Sequence, residues 1–129
     1  MSGPARAGLF IYAKELKNIA RFYGSVAGMS NIHETDEIIV LQSPDIQLIV
    51  HQIPEKIAAD IVIRIPPERR EDTALKFFFT VHSIADVRSM AAQLGGRVFN
   101  ESWQGPGFVV CNAMDPEGNV FHIRENTAT

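Results

Sequence analysis

The chain has 129 residues, 46% of them hydrophobic and 21% charged, which is the composition of a folded globular protein and excludes disorder and low complexity. With 12 basic against 15 acidic residues and a net charge of −3, it lacks the basic excess that a phosphate backbone demands, so no nucleic-acid partner is expected. The lone cysteine, Cys111, can neither close an internal disulfide nor build a zinc site alone. It reads as an inert buried thiol in a reducing, cytoplasmic setting. No apolar run approaches the roughly 18 residues of a membrane span, and Met1–Ala7 lacks the apolar core of a leader, so no membrane association is expected.

Gly8–Ala13 suits a strand. From Glu15 to about Ala27 the period changes: Leu16, Ile19, Ala20, Tyr23, Val26 and Ala27 recur at three- and four-residue steps, as on the buried face of a helix. Gly28 is placed to end it. Asn31–Thr35 and Glu37–Leu41 read as strands. After the Ser43-Pro44-Asp45 turn signal comes a third, Ile46–His51. Its even positions are all aliphatic and its odd positions, Gln47, Ile49 and His51, are mixed, the pattern of a sheet packed on helices on one side only. Residues 53–74 read as a connector. Within it Ile61-Val62-Ile63 is strand-like, Pro66-Pro67 is a stop, and Glu68–Asp72 is a solvated charge cluster of mixed sign.

Leu75–Val81 predicts the next strand. Ser83 to about Leu94 predicts a helix, with Ser83 and Asp86 spaced as a capping box and Ile84, Val87, Ala91 and Leu94 as its stripe. Gly95-Gly96 ends it. Arg97–Trp103 and Phe108–Ala113 flank a Gly105-Pro106-Gly107 turn, and Asn119–Glu125 follows the Asp115–Gly118 turn. The order is β-α-β-β-β twice. A shift of 68 residues lays Leu9–Ala13 on Phe77–Val81, Leu16 on Ile84, Ile19 on Val87, Val26 on Leu94 and Gly28 on Gly96. Each half is too short for an independent core. The expectation is one α+β domain spanning 1–129, built from a module at about 8–52 and another at about 75–125.

Three stretches carry a resemblance. Arg21–Met29 is similar to an FY-x-x-V-L-G-M helix end, Val81–Val87 followed by Leu94–Val98 to a V-D-D-V…L-G-G-x-V segment, and Asp115–Val120 to a D-P-D-G-N turn. Each is weak alone, but in this order and spacing they resemble the vicinal-oxygen-chelate superfamily, which includes glyoxalase I, bleomycin-resistance proteins and extradiol dioxygenases. The resemblance covers residues 8 to 125. It implies two βαβββ modules forming a curved mixed sheet with a U-shaped cleft and helices outside, often completed as a homodimer.

Metal-using members of that superfamily place a His or Glu on the first and last strand of each module. Carried over by the nearest motif, those positions fall on Gly8, Gln47, Lys76 and His122. A glycine, a neutral amide, a cation and one imidazole make a poor divalent site, so no metal and no cofactor are expected. His51 shares the Gln47 face and offers only a two-histidine remnant. Taking the ligand-position face of each strand as the cleft wall assigns Phe10, Tyr12, Gln47, Ile49, His51, Lys76, Phe78, Thr80, His122 and Arg124 to ligand binding, with Trp103 able to stack over the opening. The same aromatics also suit core or dimer interface, and His122 suits structural hydrogen bonding equally well. Phe77, Phe79, Phe121 and Ile123 fall on the helix-facing side. His33 and His82 read as solvent-exposed. The reading that follows is a metal-free protein binding an organic, aromatic or anionic ligand. The alternatives are a metal-dependent lyase, isomerase or dioxygenase of the same superfamily, and a metal-free enzyme using Lys76 or His122 as acid or base.

Overall fold

The computed structural model describes residues 5–70 and 73–127. The chain divides into two compact units, one ending at Val62 and the other beginning at Ile63. The first contains β1 (Gly8–Ala13), α1 (Leu16–Val26), β2 (Ser30–Glu34), β3 (Ile38–Gln42), β4 (Gln47–Gln52) and a short α2 (Glu55–Ala58). The second contains β5 (Phe78–Thr80), α3 (Ile84–Gln93), β6 (Arg97–Gly105), β7 (Phe108–Met114) and β8 (Val120–Asn126). Each unit has a four-stranded mixed sheet, ordered β1-β4-β3-β2 in one and β5-β8-β7-β6 in the other. The first strand runs parallel to the last, and the remaining pairs are antiparallel. The α+β class and the repeated strand–helix–three-strand order are as the sequence implies.

The two longer helices, α1 and α3, each pack on one face of their own unit's sheet. On α1, Leu16, Ile19, Ala20, Tyr23 and Val26 are buried as their spacing dictates, together with Phe22, which packs edge-on against Tyr23 with ring centroids 5.1 Å apart. Ile39, Leu41, Leu48 and Val50 meet them from β3 and β4. On α3 the buried stripe is Ile84, Val87 and Ala91. Phe121 and Ile123 are wholly buried on β8, and Phe77 stacks on Phe121 at 5.5 Å. Phe121 and Ile123 are thus core as expected, while Phe77 and Phe79 join Phe121 in one ring cluster but are only half-buried. Cys111 is buried among them.

The helix ends have local causes. Ser83 Oγ accepts from the Asp86 backbone N–H at 3.1 Å, the capping half of the expected box. The Glu125 carboxylate accepts the Ile84 N–H at 2.7 Å, so a side chain from β8 satisfies another orphan donor of the first turn. Both helices stop in the same way. The Met29 N–H reaches back to the Gly24 carbonyl across Gly28, and the Gly96 N–H reaches the Ala91 carbonyl across Gly95. Gly28 and Gly95 have φ of 65° and 91°, the left-handed residue of this stop. The equivalent of Gly28 is therefore Gly95, one residue before the expected Gly96, because α3 is one residue shorter than α1 (10 against 11).

Three other expectations are corrected. The strand foreseen at Leu75–Val81 contracts to Phe78–Thr80, because the start of β8 is already engaged: Arg70 bridges Asn119 and donates its N–H to the Gly118 carbonyl at 2.8 Å. Ile61-Val62-Ile63 forms no strand. The Ile61 carbonyl instead accepts from Lys14 Nζ. The connector also contains one turn of helix, α2, entered through Pro54, whose carbonyl receives both the Ile57 and Ala58 N–H groups. Of the charge cluster, Glu68 and Arg69 are exposed as expected and Arg70 is half-buried. Glu71 and Asp72 lie outside the described residues.

The Asp115–Gly118 turn is held together by the Asp115 side chain. Asp115 is fully buried. Its Oδ1 accepts from the backbone N–H of Glu117 (2.8 Å) and Asn119 (3.1 Å), and its Oδ2 from the Asn119 amide (2.8 Å). Gly118 has φ 89°, and a Cβ there would overlap the Glu68 carbonyl oxygen. Gly28 also has positive φ but meets nothing within 4 Å. The two glycines separate strain from overlap. Gly28→Ala should cost about 1–2 kcal/mol, the left-handed penalty alone. Gly118→Ala should cost at least about 4 kcal/mol, since backbone must also move. Urea denaturation of both variants checks the difference.

Candidate functional site

In both units the face of the sheet turned away from the helix carries the aromatic and polar residues. In the first unit, strand pairing sets Gly8 beside Gln47, Phe10 beside Ile49 and Tyr12 beside His51. Phe10, Tyr12 and His51 form one ring cluster, with centroids 5.7–6.3 Å apart. Phe10 and Tyr12 are 52% and 59% exposed, so this cluster is surface rather than core. His51 Nδ1 lies 2.8 Å from the Gln52 carbonyl oxygen. A carbonyl only accepts, so Nδ1 donates, and in the neutral ring the lone pair resides on Nε2. Gln47 donates its amide to the Gln42 side chain at 2.9 Å.

In the second unit, Phe78 stands beside His122 and Thr80 beside Arg124. On the other flank of β8, Asn112 pairs with His122, Val110 with Arg124 and Phe108 with Asn126, while Trp103 pairs with Val110. One face therefore collects Phe78, Thr80, His122, Arg124 and Trp103, all expected, together with Phe108 and Asn112, which were not. The alternation along β7 was the available signal: Phe108, Val110 and Asn112 must share a face opposite Cys111 and Ala113. Lys76 precedes β5 and donates to Asn112 Oδ1 at 3.4 Å.

Arg124 is the centre of this face. Its guanidinium carbon lies 3.7 Å from the Phe78 ring centroid and 4.4 Å from that of Phe108. Two π faces hold the cation in place without neutralising it. Its Nε is buried and has no hydrogen-bond partner. A planar cation fixed by aromatic rings, with donors unused, is preorganised for an oxyanion. His122 belongs to the same electrostatic setting. Burial, then the charges of Lys76 and Arg124, hold its pKa below the ordinary histidine value, so the imidazole is neutral at physiological pH.

The positions that the superfamily resemblance assigns to a metal do not fit one. Gly8 offers no donor beside Gln47, and the residue beside His122 is Phe78, with Lys76 the nearby cation. Among the described residues no three His, Cys, Asp or Glu side chains cluster. No helix among the described residues is long and apolar enough to cross a membrane.

The His122 environment gives a pH dependence with a definite sign. The folded-state pKa is lowered, so between that value and about 6.5 the unfolded chain binds more protons and stability rises with pH. The contribution is complete above about 6.5 and is lost as the pH falls through the folded value. Urea midpoints measured from about pH 7.5 down to about pH 5 should fall more steeply in the parent than in His122→Gln, which has no proton to take up.

A glyoxalase-like domain model matches residues 8–124. No curated protein is significantly similar in sequence. Among solved structures, the chain is similar to a glyoxalase/bleomycin resistance protein/dioxygenase family enzyme from Burkholderia phytofirmans, with TM-score 0.68 and 14% identity over 95% of this chain and 99% of that one. It is also similar to the genomically encoded fosfomycin resistance protein of Listeria monocytogenes, with TM-score 0.66 and 14% identity over 98% and 95%. A third is lactoylglutathione lyase from Agrobacterium tumefaciens, with TM-score 0.59 and 18% identity over 96% and 95%. These identities speak to the fold alone. The family match spans nearly all of both strand–helix–three-strand units, and with it the chain belongs to the glyoxalase-like family of the vicinal-oxygen-chelate superfamily.

Proposed function

We propose that this protein binds an anionic, aromatic small molecule without a metal, and that the sheet face around Arg124 is where the anion is held. The observation that carries the reading is the guanidinium of Arg124 set between Phe78 and Phe108 with no carboxylate paired to it among the described residues. Lys76 adds positive charge, and neutral His122 adds a polar tip that can donate or accept. Phe78 and Trp103, 50% and 47% exposed, supply ring surface for stacking. The residues at Gly8, Gln47, Lys76 and His122 support a metal-free mode of binding, because a glycine offers no ligand and a neighbouring ammonium opposes a divalent ion. Phe10, Tyr12, Gln47, Ile49 and His51 are proposed as ligand-contacting residues of the first unit. The protein is proposed to work in the cytoplasm.

Trp103 is the only tryptophan, so its fluorescence reports this face directly. Benzoate and phenylacetate should perturb the emission and raise the melting temperature, while neutral benzamide should do so far more weakly. Arg124→Gln should weaken benzoate about 10- to 100-fold, the worth of a charge-assisted hydrogen bond. Equal binding of benzoate and benzamide would sink the anion reading. One tightly held zinc, nickel or iron per chain in protein purified without chelator would sink the metal-free one.

We also propose a homodimer. Phe10, Tyr12, Phe78 and Trp103 are each about half exposed, and a second chain would cover such apolar surface. Sedimentation at high micromolar concentration should show the dimer mass, and a monomer there would refute it.

A further inference from the structure

The second unit has an open pocket on the opposite side of its sheet from Arg124, between the first turns of α3 and strands β6 to β8. It measures about 320 Å3 and is lined by Arg88, Glu125, Asn100 and Ser102, with Ile84 and Val109 as apolar wall. Arg88 and Glu125 carry opposite charges and share this cavity, yet they form no ion pair with each other. Each is held by the backbone instead. Arg88 Nη2 donates to the Phe99 carbonyl at 3.2 Å and approaches the Cys111 sulfur at 3.9 Å. Glu125 Oε1 takes the Ile84 N–H at 2.7 Å. Arg88 Nε is buried and unpartnered, an arrangement that leaves a desolvated donor uncompensated.

Neither charge is a requirement of the fold. The same shift that lays Leu16 on Ile84 lays Ala20 on Arg88, and strand pairing sets Gln52 where Glu125 stands: Tyr12 pairs with His51 as Thr80 pairs with Arg124. Ala20 simply fills the core of the first unit, and Gln52 donates to the Lys14 carbonyl. In the second unit these two positions hold a cation and an anion facing one cavity, pinned apart. The chemical complement of such a pair is a molecule with an anion and a cation of its own. The volume is at the lower end for small-molecule sites, about 300–1,000 Å3, which suits a ligand of amino-acid size.

We propose that this cavity binds a small zwitterion of the free α-amino-acid class, its carboxylate on Arg88 and its ammonium on Glu125, with Asn100 and Ser102 completing the hydrogen bonds. Occupancy on this side leaves the Arg124 face open, so the site is separate from the one proposed above.

Calorimetry and thermal shift with L-alanine, L-valine and L-leucine test it, against propionate and ethylamine as the two half-ligands. At least one amino acid should bind the parent and raise its melting temperature, and each half-ligand should bind at least tenfold more weakly. Glu125→Gln keeps an acceptor for the Ile84 N–H and should weaken the amino acid at least tenfold. Arg88→Gln should do the same while leaving benzoate binding unchanged. If Arg88→Gln does not fold, Glu125→Gln and the half-ligands decide alone. Propionate binding as tightly as alanine, full affinity in Glu125→Gln, or no binding by any of the three amino acids would each overturn the proposal. Arg124→Gln should leave amino-acid binding intact, so the two sites fail independently.

Discussion

The parallel pairing of the first strand of each unit with its last decides what every other residue can do. It sets Tyr12 against His51 and Thr80 against Arg124, and from those pairs strand alternation assigns each neighbour to the helix side or the open side. A slip of one residue in β8 would bury Arg124 under α3 and expose Ile123. The aliphatic positions prevent this. Phe121 and Ile123 are fully buried against the helix, and each would lose about 1.5–3 kcal/mol of burial on turning outward. The polar face is thus positioned by the apolar one. The site residues need no contribution of their own to be where they are.

Much of this was legible in the residues. Period change located both helices, Ser83 and Asp86 located one cap, and the alternation of Leu48 and Val50 against Gln47, Ile49 and His51 sorted β4 correctly. What escaped was set by contacts distant in sequence. Leu75 and Lys76 have good strand neighbours, but Arg70 already bridges Asn119 at the start of β8, and nothing local in either segment announces that competition. The cap on Ile84 comes from Glu125, 41 residues away. Phe108 and Asn112 were legible in principle, since alternation along β7 places them. Their roles depend on which side chains lie diagonally across two strand pairs, and that emerges only with the register.

Electrostatics divides the second sheet into two surfaces of different character. On the open side Arg124 and Lys76 are unopposed by carboxylates among the residues named on that face, and burial, reinforced by these two charges, makes His122 hold its proton less tightly. Aromatic rings, not anions, fix the guanidinium there, so its charge stays available to a ligand. On the helix side Arg88 and Glu125 are each tied to main-chain groups. Only on the helix side are opposite charges kept from satisfying one another, but both sides leave an arginine Nε buried without a partner. A fold assembled for stability alone would gain by closing those contacts.

The link between Arg70 and the Asp115–Gly118 turn bears on how the connector tolerates change in length. The Glu68 carbonyl sits against Gly118 and the Arg70 N–H is bonded to it, so as a mechanical spacer the connector ends at Glu68 although its sequence continues to the following strand. Residues added in the exposed stretch around Arg64 and Ile65 only enlarge a loop, whose closure entropy grows with the logarithm of its length. One residue added between Glu68 and Arg70 would instead carry a carbonyl out of register with a glycine that has room for no other neighbour. Insertions and deletions among natural relatives should therefore collect before Glu68 and stop there.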